Sequence, residues 1–197
     1  ACKNGFVGVF IDEKYGGAGY GYFENALIWE EFHRVDPGCG FATLGTTIGA
    51  ETLQLNGTEG QKESYLTPLP KGEAIMAIMI TEPHAGSDVA GIKTRAVKEG
   101  EYWVINGTKT FSTNGSIADY AIVLCRTEDE GERHRRFSTI IVDLNSDGIT
   151  RTKLRGKIGM RASDTAEIHF DNVHVPEENL MGVRGKGFYH IMDFFNR

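Results

Sequence analysis

The sequence predicts an α+β protein in which a helical segment is followed by an antiparallel β-barrel domain and then by the start of a further helical domain. Apolar residues recur at helical spacing over residues 23–35 and again over residues 40–55. From Ala74 the period changes to that of strands, and several short strands separated by turn residues are typical of a barrel or sandwich. Helical spacing returns after Pro176. This order of elements defines the predicted fold class.

The predicted domain boundaries follow these changes of period. Residues 1–73 form the C-terminal part of an N-terminal helical domain, residues 74–184 a middle β-barrel domain, and residues 185–197 the first turns of a C-terminal helical domain. The chain starts without Met and ends at Arg197 inside an apolar helical pattern that has no stop signal. We therefore expect a fragment of a longer protein.

Composition and charge narrow the class of protein. The 197 residues are 40% hydrophobic, which is enough for a packed core. The net charge of -6 comes from acidic and basic residues interspersed along the chain, and the densest basic patch, residues 133–136, lies beside four acidic residues. This distribution argues against nucleic acid as a main partner.

Cysteine usage and hydropathy bear on metal binding and compartment. Cys2, Cys39 and Cys125 lack CxxC spacing and have no nearby His pattern, so the sequence predicts ordinary thiols and no metal site. The apolar run at residues 74–80 is too short to span a membrane and has the length of a buried strand. We expect a reduced, cytoplasmic compartment and no membrane span.

The helical segment begins after a glycine-rich stretch, residues 16–21. This stretch does not match a dinucleotide-binding fingerprint, because Tyr22 stands where the third glycine is required, and we interpret it as a flexible connector. Helices are predicted over residues 23–35, which carry a broad apolar stripe, and over residues 40–55, where small residues fill the middle. Thr58 and Gln61 have capping-box spacing for a third helix that runs through Tyr65.

The β domain is predicted from short apolar runs bounded by turn residues. A Glu-Gly turn joins residues 92–97 and 101–105 as a hairpin, and Asn106-Gly107 is a type I′ turn signal that leads into residues 109–113. Further strands are predicted at residues 120–125, 137–144, 149–154 and 166–170, and a final helix at residues 187–197.

Polar groups are unusually dense directly after the buried run that ends at Ile80. Pro83 removes a backbone donor, Gly86 permits close approach of a ligand to the main chain, and hydroxyl and carboxylate groups come from Thr81, Ser87 and Asp88. A turn rarely needs so many hydrogen-bonding groups, so residues 78–88 are the first candidate binding site.

Two further stretches are candidates for ligand contact. Strand alternation places Lys109, Phe111 and Thr113 on one face, so that a ring and a hydroxyl are offered together to a planar heteroaromatic cofactor. An ordinary core role for Phe111 remains an alternative. Residues 159–165 combine a cation with hydroxyls, which suits a phosphorylated or thioester ligand, although an Asp/Ser turn would have the same composition.

In this order and spacing, the three stretches resemble signatures of the acyl-CoA dehydrogenase family. Residues 81–88 look like its flavin-loop signature, residues 106–114 like its second flavin strand, and residues 159–165 like its Gly-x-Arg-x-Ser-x-Thr stretch. The resemblance covers nearly the whole chain from Phe6 onward. It implies an oxidoreductase of fatty acid metabolism that binds FAD and is a homo-oligomer at full length.

The resemblance also implies residue roles. Thr81 would lie near the pyrimidine end of the flavin, Thr113 would donate toward N5, and Phe111 would cover one ring face. Other flavin contacts would come from Ile78, Ile80, Gly86 and Ser87. Substrate contacts would come from Ser163 and Ser87 at the CoA moiety. Leu44 and Ile48, on the helix rich in small residues, are candidates for the acyl pocket, with an ordinary core role as the alternative.

The family removes the α-proton of an acyl-CoA thioester with a carboxylate base while the β-hydride goes to the flavin, which gives a trans-2-enoyl thioester. Electrons then pass to electron transfer flavoprotein. The base is a Glu of the C-terminal helical domain, and no carboxylate of this chain matches it, Glu82 included. We therefore assign no catalytic residue and expect the fragment alone to be inactive.

Two positions depart from the family pattern. His84 stands where a small residue is common, and Phe111 stands where Trp is common. These changes bear on the geometry of the flavin loop and on the flavin environment. An acyl-CoA oxidase or flavin monooxygenase of the same architecture, and a non-catalytic binding or scaffold module, remain alternative functions.

Overall fold

A computed structural model describes residues 1–196 of the chain. The helical segment comprises α1 (Tyr22–Val35), α2 (Pro37–Leu44), α3 (Ala50–Asn56), α4 (Glu59–Leu66) and α5 (Pro68–Lys71). The predicted capping box is confirmed at the start of α4, where Thr58 Oγ1 accepts from the Gln61 amide at 3.2 Å and Gln61 Oε1 accepts from the Thr58 amide at 3.0 Å. These two bonds fix where α4 begins.

The predicted helix over residues 40–55 is wrong, because α2 and α3 are separate helices. Between them Gly49 adopts a left-handed φ of 101°, which favours glycine. The intervening chain turns toward the sheet, where Thr47 bridges Met76 and the Met76 amide donates to the Thr46 carbonyl at 2.9 Å. The small residues therefore allow a break that joins the helical segment to the first strand.

Helix α1 matches the prediction, but the described residues cover its apolar stripe only in part. No residue of α1 is fully buried, and Phe23 and Val35 are 72% and 81% exposed. Apolar periodicity thus located the helix correctly without indicating what the helix packs against.

The sheet is mixed and open. Its strands are β1 (Met76–Met79), β2 (Arg95–Glu99), β3 (Tyr102–Thr113), β4 (Tyr120–Arg126), β5 (Phe137–Asp143), β6 (Ile149–Lys153), β7 (Thr165–Pro176) and β8 (Leu180–Met181). Neighbouring strands follow the order β6-β7-β3-β2-β4-β5-β8, and β1 pairs with β4 in parallel. An α+β fold is confirmed. The predicted antiparallel barrel is not, because the strands at the two ends of the order are not paired in the described residues and β1 runs parallel to its neighbour.

The prediction of a type I′ turn at Asn106-Gly107 is also wrong. Strand β3 runs straight through both residues, and its pairing with β7 shifts register between Ile105 and Gly107. Gly107 has φ 148°, and a Cβ placed there would lie 2.5 Å from Thr94 Oγ1. Asn106 hydrogen bonds across the irregularity to Asn172. Asn-Gly occurs both in β-bulges and in hairpin turns, so the local sequence could not distinguish between these two structures.

The chain returns to helix in α6 (Gly187–Phe195), which rests on the sheet through the fully buried Ile191. The predicted helix extended to Arg197, which lies outside the described residues. In the part of the chain that the structure describes, no helix combines the length and the apolar character that crossing a membrane requires. The proposed boundaries at residues 73 and 184 stay predictions.

Candidate functional site

Two of the predicted stretches lie side by side. The chain leaving β1 runs next to the C-terminal part of β3, where the Thr110 amide donates to the Thr81 carbonyl at 2.9 Å. One residue earlier on each segment, Lys109 Nζ donates to the Ile80 carbonyl at 2.8 Å. These two bonds bring Ile80 and Thr81 next to the segment that carries Phe111. We call this pair of segments, residues 80–82 and 109–114, the cofactor edge.

A buried ion pair holds the cofactor edge together. Lys109 Nζ lies 2.9 Å from Glu82 Oε1, and the two side chains are 0% and 1% exposed. The Glu82 carboxylate also accepts from the backbone amides of Lys93 at 2.7 Å and Thr94 at 2.9 Å. Burial raises the pKa of Glu82, but the Lys109 charge and these hydrogen bonds outweigh it and leave the pKa below its ordinary value. Glu82 is therefore a structural anion, with its oxygens engaged.

Phe111 occupies a strained position that exposes its ring. Sequence alternation predicted Lys109, Phe111 and Thr113 on one face, and this is wrong because the β3–β7 register shifts between Lys109 and Ser112. Phe111 sits in the shift with φ 54°, a rare value for a bulky residue, and is 68% exposed. Thr113 is half-buried, whereas Lys109 points into the core. The bulge thus presents an aromatic ring at the surface, two residues before a hydroxyl.

Two buried polar atoms beside Phe111 have no hydrogen-bond partner among the described residues. They are Ser112 Oγ and Asn114 Oδ1. Asn114 is held in a left-handed conformation with φ 62°, and its Nδ2 donates to the Gly45 carbonyl at 2.7 Å. Buried polar atoms are normally satisfied, so these acceptors are chemically suited to a ligand that brings donors.

Residues 81–88, the stretch that resembles a flavin loop, are partly exposed to solvent. Its first residues make a tight turn in which the Glu82 amide donates to the Ala85 carbonyl at 2.9 Å. Gly86 and Ser87 are exposed, and a Cβ on Gly86 would meet no atom within 4 Å. Ile78, by contrast, is half-buried and packs against two core clusters. The end of this stretch at Gly86 and Ser87 therefore offers accessible backbone and a hydroxyl. The end at Ile78 offers an apolar side chain.

His84 lies within the tight turn and contacts its acidic neighbour. His84 Nε2 is 3.4 Å from Glu82 Oε2, and the His84 side chain is 44% exposed. The residue therefore sits over the buried ion pair and still reaches solvent.

An apolar cavity of about 220 Å³ lies beside the cofactor edge. Leu44, which is buried, and Ile48, which is half-buried, both line it, and their contact with an acyl chain stays a prediction. Trp29 and Phe41 form another part of the wall and pack edge to face at 5.3 Å between ring centroids. Gly45 belongs to the same wall and accepts the Asn114 hydrogen bond, so the cavity and the cofactor edge share a boundary.

Ser163 lies on the other side of Asn114. Ser163 is 5% exposed, and the next residue, Asp164, is tied to the end of β3 because the Asn114 amide donates to its carbonyl at 3.2 Å. The Asp164 carboxylate accepts from the Ser116 amide at 2.8 Å and from Ser116 Oγ at 2.6 Å. Burial raises the pKa of Asp164, but the Ser116 hydrogen bonds and Lys153 leave it below its ordinary value. The loop of the third stretch is thereby anchored to the site.

Sequence reasoning missed residues that organise this site. Lys109 and Glu82 are 27 positions apart, and no local pattern indicates that they pair. Asn114 and Asp164 join the edge, the cavity and the Ser163 loop, yet their only local signals were an Asn-Gly pair and an Asp in a turn. The residues predicted to contact ligands lie in one region of the structure, whereas the residues that hold them there were not identified from the sequence.

The fold and the site define an α+β protein with an exposed aromatic edge next to an apolar cavity. Comparison with known proteins gives the family. Residues 1–73 match the acyl-CoA dehydrogenase N-terminal domain and residues 77–173 match the acyl-CoA dehydrogenase middle domain. The chain therefore belongs to the acyl-CoA dehydrogenase family.

Individual relatives agree with this assignment. The short-chain specific acyl-CoA dehydrogenase of Clostridium acetobutylicum is 40% identical over 190 residues, covering 93% of this chain and 48% of that protein. The caffeyl-CoA reductase-Etf complex subunit CarC of Acetobacterium woodii is 37% identical, covering 97% of this chain and 50% of that protein. The crystal structure of acyl-CoA dehydrogenase from Geobacillus kaustophilus has a TM-score of 0.90 and 41% identity, covering 98% of this chain and 51% of that one. The chain spans about half the length of the curated relatives it matches.

Proposed function

We propose that the protein containing this chain is an FAD-dependent acyl-CoA dehydrogenase that converts an acyl-CoA thioester to the trans-2-enoyl-CoA. The observation that carries the proposal is the juxtaposition made by the Thr110–Thr81 hydrogen bond of 2.9 Å. It places an exposed ring and hydroxyl groups beside an apolar cavity. A planar cofactor and an apolar acyl chain need these two environments next to each other.

The residues of the edge fit FAD chemically. Phe111 offers a ring to one face of the isoalloxazine, and Thr81 and Thr113 offer hydroxyls to its heteroatoms. The unpartnered buried atoms Ser112 Oγ and Asn114 Oδ1 in the same segment support a ligand at this place. The remaining residues proposed to contact FAD are Ile78, Ile80, Gly86 and Ser87. When bound, FAD supplies the acceptor for the hydride that leaves the β-carbon.

The substrate is proposed to lie along the same boundary. Leu44 and Ile48 contact the acyl chain in the cavity, where they exclude water from it. Ser163 and Ser87 contact the CoA portion. Trp29 and Phe41 form a rigid part of the cavity wall, so their rings limit the space available to the acyl chain.

None of the carboxylates of this chain is proposed as the base that removes the α-proton. Glu82 is the carboxylate nearest to the cofactor edge, and its oxygens are engaged by Lys109 Nζ and two backbone amides. A base needs a lone pair that can reach the substrate. We propose that this chain contributes to holding the cofactor and the substrate, and that the residue that moves the proton lies outside it.

The whole protein is proposed to be a cytoplasmic homo-oligomer that passes its electrons to electron transfer flavoprotein. A relative that forms part of a caffeyl-CoA reductase-Etf complex supports this choice of acceptor. Slow reoxidation of the reduced protein by air would accord with this acceptor, whereas rapid reoxidation would indicate an oxidase.

The test uses the whole protein, purified with FAD and incubated with acyl-CoA thioesters of increasing chain length and an electron acceptor. We expect mass spectrometry to show a product that has lost two hydrogen atoms from at least one thioester, with a trans α,β double bond. The isolated 197-residue chain is the matched comparison and is expected to give no product. Whole protein that binds FAD but converts none of the thioesters would contradict the proposal.

A further inference from the structure

The loop that joins β4 to β5, residues 127–136, contacts two separate parts of the molecule. We call this loop the strap. Its ends are held together, because the Thr127 amide donates to the Arg136 carbonyl at 2.9 Å and the hydroxyl oxygens of Thr127 and Ser138 lie 2.7 Å apart. The strap contains the dense basic patch at residues 133–136 and its acidic neighbours, to which the proposed function gives no role.

Arg133 connects the strap to the end of the stretch that resembles a flavin loop. Arg133 Nη2 donates to both carboxylate oxygens of Asp88, at 2.7 and 2.6 Å. Asp88 directly follows Gly86 and Ser87, which are both exposed. The Asp88 carboxylate also lies close over Gly91, where a Cβ would be 3.0 Å from Asp88 Oδ2. The ion pair therefore restrains the exposed end of residues 81–88.

His134, the next residue, connects the strap to helix α6. Its ring stacks on the ring of Phe188, with the centroids 4.3 Å apart and the planes 20° from parallel. Phe188 is half-buried and lies in the first turn of α6. Arg133 and His134 belong to the same short 3-10 turn, Arg133–Arg135. One turn of the strap therefore contacts the flavin-loop stretch and the start of α6 at the same time.

The strap also fits closely against the chain that enters α6. Gly185 has a left-handed φ of 77°, and a Cβ placed there would lie 2.9 Å from the Arg135 carbonyl oxygen, so the site favours glycine. The Gly185 amide donates to Ser138 Oγ at 3.0 Å. The preceding Arg184 forms an ion pair with Glu128 of the strap. Several independent contacts thus hold the strap against the entry to α6.

The two parts that the strap contacts share one apolar cluster. Helix α6 contributes its buried Ile191, and the chain around the flavin-loop stretch contributes the buried Ala85 and Ile92. Partly buried side chains from both parts pack against this cluster, among them Ile78, Ile80 and Phe188. Ile78 and Ile80 are also proposed to contact FAD. Close packing in this cluster and the strap above it therefore couple the position of α6 to that of the proposed cofactor contacts.

We infer that Arg133 and His134 are positioning residues for the cofactor: Arg133, through Asp88, holds Gly86 and Ser87 in the arrangement that contacts FAD, and His134, through Phe188, fixes that arrangement relative to α6. This inference rests on the proposed function, because Gly86 and Ser87 are proposed to contact FAD. Neither positioning residue takes part in the chemistry. The Arg133 and Asp88 side chains are 60% and 64% exposed, so solvent screens their attraction and the effect of the pair is modest.

The test titrates FAD into the whole protein after removal of its cofactor and measures the dissociation constant by isothermal titration calorimetry. Arg133→Gln and Asp88→Asn should each weaken FAD binding by about two- to fivefold. The double variant should bind FAD no more weakly than either single variant, because both changes remove the same interaction. If Arg133 instead contacted the FAD phosphates directly, Asp88→Asn would leave FAD binding unchanged or tighten it, and that result would overturn the inference.

His134 is tested with two variants that differ only in whether a ring remains. His134→Phe keeps a ring that can stack on Phe188 and should bind FAD like the wild type. His134→Ala removes the ring and should weaken FAD binding by about twofold or more. Wild-type FAD affinity in His134→Ala would refute the role of this residue.

The matched control is Arg135→Gln, which removes an arginine of the same turn that pairs with Glu132 inside the strap at 2.8 Å. It has the same net charge as Arg133→Gln and should bind FAD like the wild type. Equal losses of FAD affinity in the two variants would mean a general charge effect and would overturn the inference. Thermal denaturation of the cofactor-free proteins should give the same midpoint for both variants, whereas a lower midpoint for Arg133→Gln alone would assign Arg133 to folding.

The outcome can be separated from that of the turnover experiment. Whole protein in which the strap variants weaken FAD binding but which forms no enoyl product would refute the proposed reaction and leave the role of the strap intact. Whole protein that forms the product, with the same FAD affinity in the wild type and in every strap variant, would do the reverse.

Discussion

The cofactor edge contrasts with the cavity lined by Lys153, Arg155, Lys157 and Arg161, called the basic pocket. Both regions carry charged side chains, but the charges are arranged in opposite ways. At the edge, Lys109 and Glu82 are buried and paired at 2.9 Å, and each also hydrogen bonds to the backbone. In the pocket, Arg155 and Arg161 are exposed and unpaired within the described chain. Charges of the first kind stabilise the fold, whereas charges of the second kind make no ion pair within the described chain. Substitutions should therefore cost more stability at the edge than in the pocket.

The largest effect is expected from Lys109→Met. The substitution leaves the Glu82 carboxylate buried without its cation, which costs about 3–5 kcal/mol in similar cases. Urea denaturation of the chain followed by circular dichroism measures this loss of unfolding free energy. The double variant Glu82→Leu/Lys109→Met removes both charges and should recover part of the stability. Equal stability of the single variant and the wild type would show that the pair does not organise the edge.

A smaller loss of stability is expected at Asn114. Asn114→Ala removes the buried hydrogen bond to the Gly45 carbonyl, which costs about 1–3 kcal/mol when the partner is left unsatisfied. Asn114→Gly also removes the bond but tolerates the left-handed φ of 62°, so it separates backbone strain from the lost contact. The same denaturation experiment compares the two variants, and a glycine variant as stable as the wild type would show that the hydrogen bond contributes nothing.

The cofactor edge also shows how much of the site could be predicted from the sequence. The residues proposed to contact ligands carry local signals, because Pro, Gly and hydroxyl side chains directly after an apolar run indicate a binding loop. Lys109 carried a misleading signal, since strict alternation placed it beside Phe111. The bulge that separates them depends on pairing with β7, more than fifty residues later, and no local pattern records it.

The same distinction between local and distant causes applies to the fold. The capping box of Thr58 and Gln61 lies within one turn, and it was predicted correctly. The break between α2 and α3 coincides with the bridge from Thr47 to Met76, and the irregularity at Gly107 lies in the pairing of β3 with the distant strand β7. Both were predicted wrongly, because a glycine shows where the backbone can bend and not which distant strand it will meet.

Acidification should weaken the edge. The folded-state pKa of Glu82 lies below its ordinary value of 4.5, so the carboxylate stabilises the folded protein at higher pH. This contribution is lost as the pH falls below about 4.5 and through the folded-state pKa. Asp164, whose pKa is also below its ordinary value of 3.8, adds to the loss as the pH falls below about 3.8. Unfolding free energy measured from about pH 6 to pH 3 should fall more steeply for the wild type than for Glu82→Gln. If the unfolding free energies of the two proteins fell in parallel with pH, the assignment of Glu82 as a stabilising carboxylate would be contradicted.

The smallest effect on stability is expected in the basic pocket. Arg155→Gln and Arg161→Gln remove exposed side chains without protein partners, so each should change the unfolding free energy by no more than about 0.5 kcal/mol. Thermal denaturation of the two variants beside the wild type provides the measurement. A loss comparable to that of Lys109→Met would mean that these arginines hold the loop together and would remove the contrast between the two regions.

The most direct test of the account concerns the ring that the bulge exposes. FAD is titrated into the whole protein after removal of its cofactor, and the dissociation constant is measured for the wild type, Phe111→Ala and Tyr102→Ala. Tyr102 is an exposed aromatic residue at the opposite end of the same strand, so it controls for the loss of a surface ring from β3. We expect Phe111→Ala to weaken FAD binding by roughly two- to tenfold, as the loss of an aromatic contact implies, and Tyr102→Ala to leave it unchanged. Equal FAD affinity in all three proteins would contradict the assignment of this edge to the cofactor.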